Sequence, residues 1–352
     1  MLVGRVNNNG FAFKGIYDPN ILVTGSSGYL GSHLVPKLVA DGYNCIICCR
    51  DKNKQEYLSK VISEINQTKK DKSLCSFVNI DLTSEQLVNK FLSMNKGIDV
   101  VAHLCASTYN SESLINPRKY YDNNVFASMN LVNSMLDNGI EKILYISTAS
   151  IYQKSTNGFV SEDTVPFPKT PYAKTKYITE QLINDYKVYG LKSTILRLFN
   201  VAGAQGVNDL DIGKNVITVL LNLIKNDSLF TLMGNNYPTP DGTCIKDFVH
   251  IDDVVSAIQK STKAILEQDA KSEIYNIGTG VGVSLGELVK RSIDITGMNL
   301  KIRIGDALEN EASCLIANIT KAKNQLGWYP QKNINEIIKS CWKWILQNRG
   351  GK

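Results

Sequence analysis

Hydrophobic and polar positions along the first 200 residues alternate between two kinds of segment. Short, continuous apolar runs such as Ile21-Leu22-Val23 indicate buried strands, and periodic stretches such as residues 30–41 indicate helices. Strands that are buried on both faces and separated by helices are typical of a parallel sheet covered on both sides. The pattern therefore predicts an α/β fold with a doubly wound parallel sheet.

The predicted elements follow one another in regular order as far as about residue 200. Strands are predicted at residues 21–23, 45–49, 76–80, 100–104, 142–147 and 193–198. Helices are predicted at residues 30–41, 52–66, 85–94, 117–138 and 175–189, and a packing helix with Trp342 and Trp344 at 334–347.

Beyond Asn200 the alternation stops, and Gly, Asn, Asp and Pro become frequent. This change predicts a division into three parts. Residues 1–20 form a polar N-terminal extension and residues 21–200 the sheet domain. Residues 201–349 form mainly a smaller C-terminal substrate-binding lobe, with some elements returning to the main sheet.

Composition indicates an ordinary globular protein, because 43% of its 352 residues are hydrophobic and 20% are charged. The net charge of +6 comes from dispersed lysines, without a basic stripe interleaved with aromatics. We therefore expect no nucleic-acid partner, although the positive balance suits an anionic small substrate. No apolar run has the length of a membrane span, and residues 1–20 lack a signal-peptide layout.

Eight cysteines and three histidines complete the candidate chemistry. Three of the cysteines lie in the apolar run 45–49, where they fit a buried strand better than a metal cluster. The histidines have no zinc-like spacing with them, so no metal is expected. Free cysteines are typical of a reducing compartment, which predicts a cytoplasmic protein.

The sharpest N-terminal motif is Val23-Thr24-Gly25-Ser26-Ser27-Gly28-Tyr29-Leu30-Gly31, between a predicted strand and a predicted helix. Gly25 allows a tight turn, Gly28 lets the backbone approach a pyrophosphate, and Gly31 permits close packing of helix and strand. Tyr29 and Leu30 open the helix, whose free N–H groups and dipole favour phosphate. The motif predicts a nicotinamide dinucleotide on a Rossmann-type sheet.

The adenosine end of this predicted site is ambiguous. The second strand ends in Cys48-Cys49-Arg50-Asp51, where a carboxylate usually binds the ribose. Arg50 could hold a 2′-phosphate, which would mean NADP; alternatively it stacks on adenine or lies in solvent, while Asp51 binds ribose or caps a helix. Asp81, before Leu82, either meets the adenine or caps the next helix.

The candidate catalytic residues are Tyr172, Lys176 and Thr148. Tyr-x-x-x-Lys on a helix places the phenol and the ammonium on one face. A phenol with an ordinary pKa of about 10 is a poor base, and nearby positive charge favours the phenolate. Thr148 follows a strand at the edge where such sheets bind ligands, although strand-end hydroxyls also serve as caps.

With these motifs in place, the chain from about Ile21 to about Trp344 resembles the extended short-chain dehydrogenases/reductases, and within them the UDP-glucose 4-epimerases. Four segments carry the resemblance most specifically: Tyr120-Tyr121-Asp122-Asn123-Asn124-Val125, Leu196-Arg197-Leu198-Phe199-Asn200, Tyr237-Pro238-Thr239-Pro240-Asp241-Gly242-Thr243 with the following Cys244-Ile245-Lys246-Asp247-Phe248-Val249-His250, and Tyr275-Asn276-Ile277-Gly278-Thr279-Gly280.

The resemblance implies NAD as a bound hydride carrier and a UDP-hexose as the substrate, inverted at C4 through a 4-keto sugar. Tyr172 would be the base, Thr148 would hold the 4-oxygen, and Lys176 would bind the nicotinamide ribose. Asn124 would line the cofactor site. The resemblance also implies a homodimer, for which the helix at 117–138 could provide the contact.

Three further residues match positions that contact the nucleotide of the substrate: Asn200, Asn215 and Lys246. Lys246 stands where the family usually has arginine, so it keeps the charge but loses the planar fork. Arg303 resembles the arginine of an Arg-x-Gly-Asp motif, although its spacing to Ala317-Asn318 is several residues longer. Two other departures are Thr108 in place of a lysine and Leu198 in place of an aromatic residue.

Rival functions depend on neighbouring residues. Related dehydratases and decarboxylases carry carboxylates just after the threonine, where this chain has Ala149 and Ser150, neither of which transfers protons at neutral pH. An NAD(P)H-dependent reductase would use the same Tyr172 and Lys176, and Arg50 motivates it. A non-enzymatic nucleotide-binding scaffold would not need the Thr148, Tyr172 and Lys176 set.

Overall fold

The computed structural model of the chain describes residues 19–69, 72–152, 158–204, 215–307 and 311–347. The chain divides into two compact units. The first comprises the described parts of Met1–Ser147, Thr170–Leu196 and Ile258–Ile274; the second comprises those of Thr148–Lys169, Arg197–Ala257 and Tyr275–Lys352. All but the last two residues of the predicted N-terminal extension lie outside the described residues.

The structure contains strands and helices with the following bounds. The strands are β1 (Asn20–Thr24), β2 (Asn44–Cys48), β3 (Cys75–Val78), β4 (Val100–His103), β5 (Lys142–Thr148), β6 (Phe159–Val160), β7 (Lys192–Leu198), β8 (Asn200–Ala202), β9 (Leu229–Met233), β10 (Ile245–His250), β11 (Glu273–Ile277), β12 (Gly282–Ser284), β13 (Lys301–Gly305) and β14 (Cys314–Ala317). The helices are α1 (Tyr29–Asp41), α2 (Lys52–Gln67), α3 (Glu85–Met94), α4 (Asn110–Ile115), α5 (Pro117–Tyr120), α6 (Ala127–Asp137), α7 (Pro171–Asp185), α8 (Val216–Lys225), α9 (Ile251–Leu266), α10 (Leu285–Thr296), α11 (Thr320–Leu326) and α12 (Ile334–Gln347).

The main sheet has seven strands in the order β3-β2-β1-β4-β5-β7-β11. β1 pairs in parallel with β2 on one side and with β4 on the other, and the pairs β2–β3 and β4–β5 are parallel as well. The order turns back at β1, so the chain winds outward in both directions from it. This confirms the predicted doubly wound, Rossmann-type α/β sheet.

Buried apolar side chains of the strands and of the helices that pack on them form the core of the first unit. Leu22, Val101 and Ile143 from the strands join Leu131 and Ile183 from α6 and α7 in one cluster. Continuous apolar runs such as Ile21-Leu22-Val23 are buried because the parallel sheet is covered on both faces.

Helix α7 begins at Pro171, four residues before the predicted start at 175. The Thr170 hydroxyl caps it by accepting from the Ala173 N–H at 3.2 Å, and Pro171 fits the first turn because that turn needs no proline N–H. The prediction missed this start because it followed the apolar periodicity alone. Tyr172 therefore lies in the first helical turn.

The helix predicted at 117–138 exists, but its middle is not α-helical. Tyr121–Phe126 forms a π-helical segment between α5 and α6. Within it, the Asn124 carbonyl oxygen accepts hydrogen bonds from the hydroxyls of Thr179 at 2.9 Å and Ser128 at 2.6 Å. These side-chain contacts leave no trace in hydrophobic periodicity, and π segments of this kind often occur at functional sites.

The second unit is built around a smaller sheet of the order β12-β10-β14-β6, with β8 also paired to β10, and a separate pair of β9 and β13. Its core includes Leu220 and Phe248, against which Trp342 and Trp344 pack as predicted for this helix. In the part of the chain that the structure describes, none of the helices is long and apolar enough to cross a membrane.

Candidate active site

The glycine loop between β1 and α1 has the backbone geometry that its motif predicts. Gly25 has a φ of 70°, and a Cβ there would lie 2.7 Å from the backbone nitrogen of Cys105. A Cβ on Gly31 would lie 2.3 Å from the Gly25 carbonyl oxygen. Gly28 is the N-cap of α1 and provides no side-chain cap, and the first turn contains no acidic residue. The loop and helix end therefore fit a phosphate group.

A cavity of about 210 Å³ opens beside this loop within the first unit. It brings together four residues predicted for the cofactor, namely Gly25, Arg50, Asp81 and Leu82, and its lining also includes Cys105 and Asn123. The loop on one side and polar groups on the other fit the adenosine half of a dinucleotide.

The acidic residues near the cavity have different tasks. The Asp51 carboxylate caps α2 by accepting from the N–H groups of Asn53 at 2.9 Å and Lys54 at 3.2 Å. Of the two roles considered for Asp51, the structure therefore shows the helix cap. Asp81 accepts from the side chain and the N–H of Thr83, and these bonds, together with the Arg50 guanidinium, lower the pKa of its carboxyl.

A buried histidine connects the glycine loop to the π-helical segment. His103 Nδ1 lies 2.7 Å from the Thr24 hydroxyl, and its Nε2 lies 2.8 Å from the Ser128 hydroxyl. Because Ser128 donates to the Asn124 carbonyl at 2.6 Å, it accepts from Nε2–H, and Thr24 then donates to Nδ1. Burial and the nearby Lys176 ammonium lower the pKa of His103 to about 3, so the ring is neutral.

Asn124, predicted to line the cofactor site, acts through two neighbouring residues. Its side-chain oxygen accepts from the Ser107 N–H at 2.8 Å. Its amide group donates to the Ser107 carbonyl and to the Thr175 hydroxyl, each at 3.0 Å. The side chain is 1% exposed, so it fixes the segment after β4 against the helix that carries Tyr172 and Lys176.

The Lys176 side chain is buried, with 3% of the residue exposed. Burial lowers the pKa of Lys176 to about 7, against the opposing charge of Glu180 one helical turn further on. The ammonium also lies 4.0 Å from the centroid of the Tyr145 ring, where the π face attracts a cation. Glu180, itself buried, accepts a short hydrogen bond from the Ser147 hydroxyl.

The Tyr172 ring packs against a second tyrosine. The rings of Tyr120 and Tyr172 meet edge to face, with centroids 6.3 Å apart. The Tyr120 hydroxyl accepts from the Tyr109 N–H at 3.1 Å and donates to the Glu112 carboxylate at 2.8 Å. These two hydrogen bonds fix the Tyr120 ring in the position where it packs against Tyr172. Burial and Glu112 raise the pKa of Tyr120 to about 12, which keeps it a neutral donor.

Thr148 belongs to the second unit and ends β5. Its side-chain oxygen accepts from the Ser150 N–H at 3.1 Å and caps the 3₁₀ turn Ala149–Ile151. The capping role considered from the sequence is therefore present. A hydroxyl that accepts one bond keeps its own hydrogen for donation, so capping is compatible with binding an oxygen of a substrate.

The other predicted substrate residues also lie in the second unit. Asn200 donates to the Asp247 carbonyl at 2.9 Å, and Asn215 is the N-cap of α8 in a capping box. Lys246 forms an ion pair with Glu311. Burial lowers the pKa of Lys246, but the charge and hydrogen bond of Glu311, together with Cys244 and Tyr237, outweigh burial and the net shift is upward. Arg303 lies on β13 and donates to the Thr231 hydroxyl at 3.2 Å.

Sequence reasoning missed the groups behind the predicted residues. Glu180 lies eight residues after Tyr172 and four after Lys176, so the helical spacing already placed all three on one face. The pairing of His103 with Thr24 follows from their register on adjacent strands β4 and β1. No sequence signal identifies the contact of Tyr145 with Lys176, which depends on how α7 packs on the sheet.

Comparisons with known proteins identify the family of the chain. Residues 21–278 match the model of the NAD dependent epimerase/dehydratase family. A UDP-glucose 4-epimerase of Lactobacillus helveticus is 32% identical to the chain, over 92% of this chain and 96% of that protein. A UDP-glucose 4-epimerase of Drosophila melanogaster is 30% identical, over 95% of this chain and 98% of that one.

Solved structures of similar fold point the same way. A UDP-glucose 4-epimerase of Stenotrophomonas maltophila, with bound NAD and formylated UDP-arabinopyranose, superposes with a TM-score of 0.81 at 28% identity. That match covers 93% of this chain and 97% of the other. The UDP-Glc/GlcNAc 4-epimerase of Campylobacter jejuni gives a TM-score of 0.77 at 28% identity, covering 94% and 99% of the two chains.

Proposed function

This chain belongs to the NAD dependent epimerase/dehydratase family, and we propose that it inverts C4 of a UDP-hexose of the UDP-glucose and UDP-galactose type. The observation that carries the proposal is the buried Lys176 ammonium one helical turn after Tyr172, in the unit that also holds the glycine loop and its cavity. The curated relatives named UDP-glucose 4-epimerase support this substrate class.

Within this proposal the cofactor is NAD, which when bound supplies a reversible acceptor for the hydride of sugar C4. The turn at Gly25, the uncapped start of α1 and the cavity beside Arg50 and Asp81 hold its pyrophosphate and adenosine. Gly28, Tyr29, Leu30 and Gly31 bring the backbone N–H groups to the phosphates. Leu82 lines the cavity that would hold the adenosine, and Asn124 positions the surrounding segments.

Tyr172 removes the proton from the sugar 4-hydroxyl and returns it to the 4-oxygen after the 4-keto sugar has turned its other face. Lys176 binds the nicotinamide ribose, and its positive charge favours the phenolate form of Tyr172. Thr148 donates its hydroxyl hydrogen to the 4-oxygen. Because Ala149 and Ser150 follow Thr148, the chain lacks the acid and base that elimination or decarboxylation would need there.

Asn200, Asn215 and Lys246 are proposed to bind the uridine diphosphate of the substrate, with Lys246 supplying positive charge. Glu311 holds the Lys246 ammonium in place before a diphosphate competes for it. Arg303 is a further candidate for the diphosphate. The epimerase is favoured over the NAD(P)H-dependent reductase because the chain matches relatives named UDP-glucose 4-epimerase over nearly the whole of their length.

We further propose a cytoplasmic homodimer. All eight cysteines carry free thiols, which suits a reducing compartment. Phe126, at the end of the π-helical segment, is 51% exposed, and Leu87 on α3 is 54% exposed, so the helices on this side of the first unit offer apolar surface to a second copy. Light scattering coupled to size-exclusion chromatography measures the mass and decides the oligomeric state.

The decisive experiment incubates the purified protein with UDP-galactose and no added nucleotide, and measures UDP-glucose by chromatography. Conversion supports a 4-epimerase with a retained, recycled cofactor. If nothing is converted but NAD is released on denaturation, the same chemistry acts on another sugar, and the N-acetylated form is tested next because the Campylobacter jejuni relative is a UDP-Glc/GlcNAc 4-epimerase. Absence of both conversion and bound nucleotide contradicts the proposal.

A further inference from the structure

The adenosine end of the cofactor cavity has an unusual distribution of charge for a site that selects NAD. Such sites place a carboxylate at the end of the second strand, where it binds the ribose hydroxyls and repels a 2′-phosphate. Here the strand β2 is followed by Cys49, which is 4% exposed and whose thiol donates to the Asp51 carbonyl at 3.2 Å. The position therefore carries a small neutral side chain.

The next carboxylate along the chain does not replace it. One oxygen of Asp51 accepts both the Asn53 and the Lys54 N–H groups, so the carboxylate is bound to the start of α2. Among the described residues that line the cavity, Asp81 is the acidic one, and it is bonded to Thr83 after the third strand. Neither is placed to bind the ribose in the usual way.

Positive charge stands on the same side of the cavity. Arg50 is exposed and lines the cavity itself. The Lys54 ammonium donates to the Ser27 carbonyl at 2.9 Å, and Ser27 also lines the cavity. One cation therefore lines this cavity, and a second is bonded to the backbone of a lining residue. Arginine binds phosphate through parallel N–H groups, and a phosphate monoester carries a charge near −2 at neutral pH.

We propose that this end of the cavity is a subsite for a ribose 2′-phosphate, with Arg50 as its main ligand and Lys54 as a second cation, so that the protein takes up NADP to within tenfold of NAD. The inference rests on the proposed function only in placing a nicotinamide dinucleotide in this cavity. Uptake of NADP does not follow from the proposed function, because an NAD-selective site would exclude the 2′-phosphate and still serve that function.

The test is an exchange experiment on the full-length protein. The nucleotide that the protein retains is first removed by unfolding in urea. The protein is then refolded with equal, saturating concentrations of NAD and NADP, freed of unbound nucleotide and denatured, and the two released nucleotides are quantified by mass spectrometry. We expect NADP to be released in at least one tenth of the amount of NAD. A wild-type protein that takes up NAD with more than tenfold preference overturns the inference while leaving the proposed function intact.

Substitution of the arginine identifies the ligand. Arg50→Gln is expected to lower the released NADP-to-NAD ratio at least tenfold, because the guanidinium pairs with the 2′-phosphate, a group that NADP carries and NAD lacks. Arg118→Gln is the matched control, since Arg118 is a surface arginine of the same unit with a side chain 91% exposed. A threefold or smaller change with Arg50→Gln overturns the assignment. A protein that takes up neither dinucleotide overturns the proposed function as well.

Discussion

The Lys176 ammonium lies 4.0 Å from the centroid of the Tyr145 ring, in a part of the first unit that water does not reach. Burial lowers the pKa of Lys176 to about 7, and the Glu180 carboxylate opposes that shift. The pKa of Lys176, the cation of the proposed mechanism, therefore lies near neutral pH, where the ammonium begins to lose its proton. Small changes in the surrounding charge are expected to shift the pH at which Lys176 loses its proton, and with it the pH dependence of activity near neutral pH.

Removing the Glu180 charge should shift the pH dependence of catalysis. Glu180→Gln removes the group that raises the pKa of Lys176, so Lys176 becomes neutral at a lower pH than in wild type. The alkaline limb of the kcat profile should move to lower pH, and kcat at pH 8 should fall about tenfold if the pKa drops by one unit. The measurement is kcat between pH 5.5 and 9.

Ser147→Ala is the control for this prediction. It removes the hydrogen bond that the Ser147 hydroxyl donates to Glu180 but keeps the carboxylate. Its alkaline limb should remain where wild type has it. If Glu180→Gln lowers kcat equally at every pH, Glu180 supports the structure of the helix and does not tune Lys176.

The phenol of Tyr172 should be essential to turnover but not to the cofactor. Tyr172→Phe keeps the ring that packs edge to face on Tyr120 and removes only the hydroxyl. Loss of a general base typically costs about 10²- to 10⁴-fold in rate, while bound nucleotide should stay at the wild-type level. Tyr177→Phe, on the same helix, is the matched control. Substantial activity in Tyr172→Phe would show that another group takes the proton.

The main sheet was predictable because continuous apolar strands and intervening helices have distinct periodicities. The start of α7 was missed because Thr170 and Pro171 define it through a cap rather than through apolar spacing. The π-helical segment was missed because the Asn124 carbonyl binds side-chain hydroxyls, one from Ser128 in the next turn and one from Thr179 on α7. Hydrophobic periodicity predicts strands and helices, but it does not predict the hydrogen bonds of individual side chains that start or distort a helix.

The candidate site divides in the same way. Spacing identified Tyr172 with Lys176, and the glycines, because these motifs lie on single segments. It left Asp51 between two roles, since only the structure shows which N–H groups its carboxylate binds. Helical spacing places Glu180 one turn after Lys176. The contact with Tyr145 could not be foreseen, because Tyr145 reaches Lys176 from a strand.

Two glycines of the cofactor loop should respond very differently to an added methyl group. A Cβ on Gly31 would lie 2.3 Å from the Gly25 carbonyl oxygen and 2.5 Å from the Ser26 Cα, both of them backbone atoms. A Cβ on Gly28 would lie 3.3 Å from the same carbonyl oxygen and needs only a small adjustment. Gly31→Ala should therefore destabilise the fold by about 3 kcal/mol, and Gly28→Ala by about 1 kcal/mol or less.

Urea unfolding of both variants measures these free energies. The amount of nucleotide released on denaturation shows whether the glycine loop still binds the cofactor. Gly31→Ala should lose bound nucleotide because the strand and helix must separate at the phosphate site. Alanine favours a helix over glycine by about 1 kcal/mol, and this gain partly offsets the stability that Gly31→Ala loses through the backbone clash. Equal stability of the two variants would mean that the backbone around Gly31 can move to accept a methyl group, despite the 2.3 Å approach to the Gly25 carbonyl oxygen.

The neutral, buried His103 should make the protein sensitive to acid. Its pKa is about 3 in the folded protein, whereas an unfolded chain has the ordinary histidine value of 6.5. Above pH 6.5 the ring is neutral in both states. As the pH falls below 6.5 the unfolded state gains a proton that the folded state does not, so the free energy of unfolding decreases until the folded pKa is reached. Between pH 7 and pH 5 the loss is about 2 kcal/mol.

His103→Gln has no titratable ring, so it should lose about 2 kcal/mol less than wild type over the same interval, measured by urea unfolding at pH 7 and pH 5. Comparing this difference removes any uniform cost of breaking the bonds to Thr24 and Ser128. His250 has a lowered pKa as well but is present in both proteins, so it contributes equally. An unchanged loss in the variant would mean that His103 takes up its proton without unfolding the chain.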